Sequence, residues 1–491
     1  MKKNLLALLI TVLFFSPLWR RGAGGEAFGQ YDFQNIYLLS QWDTAHTVSE
    51  PIYNIRYSSP WGWADTVKHR EYAILGSSDG TYFIDVTIPT APVVRDFVAG
   101  PRDSCVWREY KTYQKYLYMV SDDEVNANNT NNMQIIDMSY LPDSVHLVFN
   151  IDTPVVRSHT LFIDGDKLYC GYDHYDRNNE NHYYKMAVYS LADPTLPQFI
   201  QSLDSDFTLP NGSVVHDMYV RHDTVYASCS DAGLFIFKFS GGHFSLISSL
   251  TNYPDHGYNH SSALTADGKT LIFVDEVPAK LPCKSLDVSD LSNLTLLQEF
   301  KPTPSDTATP HNPFIREGDN SRVVVAYYQS GVQIFDIRDP ANITRTGFFD
   351  TSPLNCPDCP GWGRQYSGCW GVYIDLPSGI VLASDMQNGL FVLDASAAMG
   401  VPTVNSNGFF ADVLPNPSDA DFTLLVSLTA GMKLNYSVMD VAGKLISNDE
   451  RNFSPGKNYI TLSGKNLSAG TYLLKLEGEG IFVTKKLIKT K

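Results

Sequence analysis

The sequence predicts an all-β chain: a seven-bladed β-propeller closed by its own N-terminal strand and followed by a small β-sandwich. Three observations predict it. Among 491 residues, 28 Tyr, 26 Phe and 7 Trp, punctuated by 34 Gly and 27 Pro, describe many short strands joined by turns. One phrase recurs seven times at intervals of about four strands' length. The last copy lacks an outer strand, and an orphan strand precedes the first copy. With 43% apolar and 18% charged residues, the chain is neither disordered nor a coiled coil.

The chain opens Met1-Lys2-Lys3 and runs apolar from Leu5 to Leu18, too short to span a bilayer and suited to a secretory leader. Small residues in Ala27-Phe28-Gly29 place cleavage before Gln30, so residues 1–29 are expected to be a signal peptide. No other segment approaches eighteen unbroken apolar residues, and no transmembrane helix is expected. Asn35–Trp42 then reads as an outer strand with no unit in front of it.

The phrase is plainest in Gly80–Val86, Gly331–Ile337 and Gly389–Ala395, with weaker copies at Met133, Met186, Gly233 and Lys284. Its sixth position falls at 85, 137, 190, 238, 287, 336 and 394, giving spacings of 52, 53, 48, 49, 49 and 58. The sixth unit parses as strands Asn312–Arg316, Arg322–Tyr328, Gly331–Ile337 and Thr346–Phe349, and the fourth as Val215–Val220, Thr224–Ser228, Gly233–Phe239 and Phe244–Ser249. The seventh supplies Trp370–Ile374, Ile380–Ala383 and Gly389–Ala395 only, so Asn35–Trp42 is expected to complete it and leave no long sheet edge.

The propeller is expected over residues 30–396, a linker over 397–407 and the tail domain over 408–491. Of the formal charge of −16, four bases against one acid lie before Gln30 and ten against eight from Gly408 onward, which leaves −21 on residues 30–407. The acidic balance argues against a phosphate-backbone partner and an anionic membrane surface, so no nucleic-acid role is expected.

The tail carries Leu414-Pro415-Asn416-Pro417-Ser418, Val438-Met439-Asp440-Val441-Ala442-Gly443-Lys444, Leu467-Ser468-Ala469-Gly470-Thr471-Tyr472 and a final Lys485-Lys486-Leu487-Ile488-Lys489. As a set these resemble the C-terminal sorting domain of type IX secretion cargo in Bacteroidetes. The resemblance implies the type IX secretion machinery as a partner and an extracellular or outer-membrane-surface location. A carbohydrate-binding or adhesive sandwich would share the alternating strands.

The repeated phrase with its Pro turn, Ile84-Asp85-Val86-Thr87-Ile88-Pro89, resembles the LVIVD-repeat propellers. Trp42, Gly76-Ser77-Ser78-Asp79-Gly80, His216-Asp217, Pro310-His311-Asn312 and Cys369-Trp370-Gly371-Val372-Tyr373 together resemble the choice-of-anchor B group of secreted bacterial proteins, over about residues 35–395. The chain departs from the pattern at Ser190 and Lys238, where Asp is expected, which makes the repeated Asp a turn-capping device. The resemblance implies no molecular activity.

Four consecutive units place a His at the start of the innermost strand: His159, His216, His260 and His311. Units two and seven hold Trp107 and Trp370 there. These positions should converge at one channel mouth, where neutral imidazoles can take a transition metal and Trp107, Asp217, Asn312 and Trp370 can contact a ligand. The same mouth should carry the acidic turns at Asp79, Asp122, Asp231, Asp275 and Asp385, candidate calcium ligands together with the Asn-rich loop at 122–129. The bland alternatives are a His that bonds the next blade's backbone and an Asp that caps its own turn.

Seven Cys are present, and Cys356, Cys359 and Cys369 fall in the insertion behind the spacing of 58. A disulfide staple there is preferred to a redox CxxC or a zinc half-site. Gly76–Gly80 matches G-x-S-x-G formally but sits between propeller strands rather than at a strand-to-helix elbow, which rejects it as a hydrolase nucleophile. The preferred function is a binding or scaffolding module for an extracellular protein or glycan. The competing one is a metal-dependent enzyme, similar to the selenium-binding protein and methanethiol oxidase group only in its channel-facing His residues.

Overall fold

Each copy of the repeated phrase forms the third strand of a four-stranded antiparallel sheet, because its apolar residues alternate between two buried faces and its Asp ends the strand in a turn. The structure is a computed structural model. It describes residues 31–50, 52–102, 104–105, 107–122, 132–151, 153–175, 182–352, 366–400, 409–414, 416–428, 431–440, 443–478 and 481–490. The proposed leader, the Asn-rich loop beyond Asp122, Cys356 and Cys359 lie outside the described residues.

Seven sheets form the blades. Strands a to d of the first are Tyr57–Asp65, Arg70–Ser77, Gly80–Asp85 and Val93–Ala99; of the second, Arg108–Tyr113, Tyr116–Ser121, Met133–Asp137 and His146–Ile151. The third has Arg157–Asp164, Lys167–His174, Tyr183–Ser190 and Gln198–Ser202, and the fourth Asp217–Arg221, Thr224–Ser228, Leu234–Ser240 and His243–Leu250. The fifth has Asn259–Leu264, Thr270–Asp275, Cys283–Asp287 and Thr295–Phe300, and the sixth Asn312–Phe314, Arg322–Tyr327, Gly331–Asp336 and Thr344–Phe349.

The seventh blade combines Cys369–Tyr373, Val381–Asp385 and Gly389–Asp394 with Tyr37–Trp42 from the N-terminus. Tyr37 pairs with Asp394 and Trp42 with Leu390, so the ring closes as the repeat arithmetic required. One detail was not legible. Phe33–Gln34 adds a fifth strand outside Thr344–Phe349 of blade six, so the N-terminal segment ties two blades before completing the second.

Buried apolar clusters lie between neighbouring blades. Leu390 and Val392 of blade seven pack with Ala73, Leu75 and Ile84 of blade one, and Tyr169 and Val188 of blade three with Val225 and Phe237 of blade four. The repeated Asp caps its own turn. The carboxylates of Asp85, Asp137, Asp287, Asp336 and Asp394 each accept the amide two residues on, and Ser190 does the same with its hydroxyl. Lys238 instead reaches the carbonyl of His222.

The C-terminal part is a two-sheet β-sandwich. Phe409–Leu414, Phe422–Leu428 and Gly456–Leu462 form one sheet, and Met432–Asp440, Leu445–Phe453, Gly470–Gly478 and Ile481–Lys489 the other. Leu424, Leu434, Val438, Leu474, Leu476 and Leu487 fill the core between them. No helix among the described residues is long and apolar enough to cross a membrane.

Candidate functional site

The a strands line the central channel, and β-bulges re-aim their first residues. Pairing shifts register between Asn259 and Ser261, between Cys369 and Gly371 and between Tyr57 and Pro60, which frees His260, Trp370 and Ser58–Ser59 from regular alternation. The result is a continuous row. Ring centroids are 4.1 Å apart for His159 and His216, 4.3 Å for His216 and His260, 4.3 Å for His260 and His311, and 4.4 Å for His311 and Trp370. Trp370 Nε1–H donates to Ser59 Oγ, which donates to the Glu109 carboxylate, carrying the row across blades one and two.

The row stacks along an arc, and its four imidazoles do not converge on one point. His216 Nδ1 faces the carbonyl of His260 at 3.2 Å, and His311 Nδ1 that of Trp370 at 2.6 Å. Each of these rings is thus anchored to the next blade, which fixes Nδ1 as the donor and leaves Nε2 as the lone-pair nitrogen. His159 differs, with its Nδ1 2.6 Å from Asp122 Oδ2. Burial opposes charge on His159, but the charge and hydrogen bond of Asp122, backed by Glu109 and Asp217, outweigh it and hold the imidazolium pKa up at about 9. Burial and the neighbouring imidazoles push His216 and His260 well below the usual range, and burial takes His311 down to about 3. One cationic imidazole therefore stands beside three neutral ones.

A cavity of about 710 Å3 extends from this row along the channel towards the a-to-b turns at Asp164, Arg221–His222 and Glu317–Gly318. Its walls are tiered. Above the imidazoles come Ser59, Glu109, Thr160, Asp217, Ser261 and Asn312, with Thr160 Oγ1 donating to Asp217 Oδ1 at 2.8 Å. Beyond them lie Trp61, Phe162, Tyr219 and Phe314, with the Lys111 ammonium 4.2 Å from the Trp61 ring centroid and 5.7 Å from that of Phe162. Burial raises the Glu109 carboxyl and lowers the Lys111 amine.

Of the residues singled out on sequence, His159, His216, His260, His311, Asp217, Asn312 and Trp370 all line this cavity. Trp107 does not. It stacks on the far side of Trp370 at 4.9 Å and packs with Tyr53 and Tyr366 in an aromatic cluster that includes Tyr328. The cavity therefore leads away from the face expected to hold both the His set and the acidic turns.

Among the described residues the acidic turns do not assemble an oxygen cage. Asp275 is buried against Lys284, Tyr253 and Asn259; Asp385 caps the amides of Gln387 and Asn388; Asp79 accepts from Ser77; and Asp231 is exposed. Cys369, grouped with Cys356 and Cys359 on sequence, is a free buried thiol on strand a of blade seven, 3.7 Å from the carbonyl of Gly371. Its strand position turns it into the core between blades six and seven, away from a surface staple.

Sequence reasoning missed Trp61, Glu109, Lys111 and Phe162 on the wall and Glu276 behind it. A signal existed for the aromatic tier: Phe162, Tyr219 and Phe314 each lie three residues beyond a row His.

Residues 412–490 match the family described as the secretion system C-terminal sorting domain. The chain is an exported protein of the cell surface or extracellular space. Its tail is a type IX sorting domain, which implicates the type IX secretion machinery in that export. No curated protein sequence matches the chain. Among solved structures it is similar to the β-propeller domain of Cps50 (Swd1) from Myceliophteria thermophila, at 10% identity and a TM-score of 0.45, covering 69% of this chain and 98% of that one. It is also similar to PorZ of Porphyromonas gingivalis, an essential surface component of the type IX secretion system, at 10% identity and a TM-score of 0.40, covering 92% of this chain and 61% of that one.

Proposed function

We propose that the propeller is a binding module that captures a saccharide, as a single unit or the end of a glycan, in its central channel. The cavity carries this reading. Its volume of about 710 Å3 suits a small ligand. Its wall combines the aromatic rings of Trp61, Phe162, Tyr219 and Phe314 with hydroxyl, amide and carboxylate groups at Thr160, Asn312, Glu109 and Asp217. Aromatic faces stack on the apolar faces of sugar rings, and carboxylate and amide groups exchange hydrogen bonds with ring hydroxyls. Mixed charge along the wall, with Lys111, Arg221 and Arg316 among the acids, favours a polar ligand of low net charge.

The body is read as residues 30–396 of the LVIVD-repeat, choice-of-anchor B kind, joined through 397–407 to a sorting domain at 408–491 and preceded by a leader at 1–29. On this reading the tail delivers the channel to the outside of the cell, where glycans are met.

The test is a glycan array followed by calorimetry on the purified protein and on Ala263→Phe, which places a ring in the cavity. Ala263 lines the channel on strand a of blade five. Binding by the wild type and loss in Ala263→Phe and Trp61→Ala is the expected result. A glycan bound equally well by Ala263→Phe would move the site out of the channel, and no glycan bound at millimolar concentration would overturn the saccharide reading.

A further inference from the structure

Behind the channel floor, Glu276 follows strand b of blade five, and its amide is fixed by a hydrogen bond to the Tyr258 carbonyl at 3.0 Å. Its carboxylate points toward the imidazoles of His260 and His311. Oε1 accepts the Tyr328 hydroxyl at 2.8 Å. Oε2 lies 3.7 Å from His260 Nε2, too far for a hydrogen bond. His260 Nδ1 is buried without a hydrogen-bond partner, and the His311 ring is oriented through Nδ1 by the Trp370 carbonyl. One donor atom from each of the three residues lies within 4.8 Å of the others, and all three residues are buried. Glu276 Oε2 and His260 Nε2 thus face one another without a direct hydrogen bond, within a buried group of metal-ligating donor types.

We propose that His260 Nε2, His311 Nε2 and a Glu276 carboxylate oxygen bind a first-row divalent ion of the zinc class. Two imidazoles and one carboxylate are a donor set for such an ion, with a position left open for water or ligand. Bonds of about 2.0–2.1 Å would set the donors roughly 3.3 Å apart, so the three side chains close in by about half an ångström to one and a half ångströms. The supporting shell is already present. The Tyr328 hydroxyl orients the carboxylate and the Trp370 carbonyl orients His311, the arrangement that fixes tautomer and direction in metal sites. His159 stays outside because it is not among the residues whose donor atoms gather within 4.8 Å. His216 stays outside because its Nε2 is not among the converging donors. The site does not depend on the saccharide reading, since Glu276 is not part of the channel wall.

The full chain, stripped with a chelator and titrated with Zn2+ or Co2+ alone, should take up one ion per chain, read by elemental analysis and by visible cobalt absorption. Glu276→Gln preserves shape and the contact with Tyr328, so it should keep its melting temperature in the chelated state and lose at least about 10-fold in affinity. Tyr328→Phe should weaken binding by about 10- to 100-fold. His311→Ala should abolish the cobalt spectrum, while His159→Gln and the pair Cys356→Ser, Cys359→Ser should leave it intact. Absence of a stoichiometric ion, unchanged affinity in both Glu276→Gln and His311→Ala, or loss of the ion in the cysteine pair variant would each overturn the proposal.

Discussion

The contact of His159 Nδ1 with Asp122 Oδ2 at 2.6 Å makes His159 the charged end of a row whose other three imidazoles are neutral. A folded-state pKa of about 9 lies above the ordinary histidine value near 6.5. The pair therefore stabilises the fold fully below about pH 6.5, and that stabilisation is lost as pH rises through about 9. Its size is on the order of 3 kcal/mol. Thermal melts of wild type and Asp122→Asn should differ most below about pH 6.5 and converge by about pH 10. A constant difference across that range would refute the assignment.

Lys284 and Asp275 form an ion pair with both side chains fully buried, at 2.8 Å, and Asp275 also accepts the Tyr253 hydroxyl. Removing one partner strands the other. Lys284→Ala is expected to cost about 3–5 kcal/mol in denaturant unfolding, and Lys284→Met with Asp275→Asn to recover a large part of that loss. Equal losses in the single and double variants would show that the pair is not the source.

Gly331 and Gly389 begin strand c of blades six and seven with φ of +71° and +85°. A Cβ there would lie 2.1 Å from the Phe349 carbonyl oxygen and 2.3 Å from that of Trp42. Gly331→Ala and Gly389→Ala should each destabilise by more than about 1 kcal/mol, combining left-handed strain with a backbone clash. Gly379 has a φ of +76° but open space around it, so Gly379→Ala isolates the strain alone and should cost less.

Removing the chain up to Trp42 would leave Gly389–Asp394 as an unpaired edge and strip Trp42 from the ring of Tyr82, 4.9 Å away. Light scattering should show this variant self-associating at concentrations where the intact body is monodisperse, since an open apolar edge recruits strands from other chains.

The ring was legible in the sequence because the phrase repeats both its apolar alternation and its terminal Asp, which marks each third strand and the turn behind it. The absent outer strand after Gly389–Asp394 identified the closing partner. The His row was legible for the same reason, as a fixed offset within each unit. Its chemistry was not. Which nitrogen each ring offers depends on bulges at His260 and Trp370 and on carbonyls supplied by the next blade, neither of which the order of residues records. Glu276 escaped notice because it sits beside Asp275, and only the structure separates the two: Asp275 turns to Lys284 and Glu276 to the imidazoles. Trp107 alone of the expected ligand contacts lies off the cavity, because it packs with Tyr53 and Tyr366 against the Trp370 end of the row.

The pairing of Tyr37 with Asp394 also joins two strands that are very far apart in sequence. Until Tyr37–Trp42 finds its partner, the seventh sheet has three strands. Closing so long a loop costs little more at equilibrium than closing a short one, since the entropy grows only with the logarithm of length. In kinetics a pairing of such long range is expected to be slow, because no local contact rewards it in advance. Because the a strands line the channel and Tyr37–Trp42 is the outer strand of its blade, this pairing locks the ring from its rim and not from its channel.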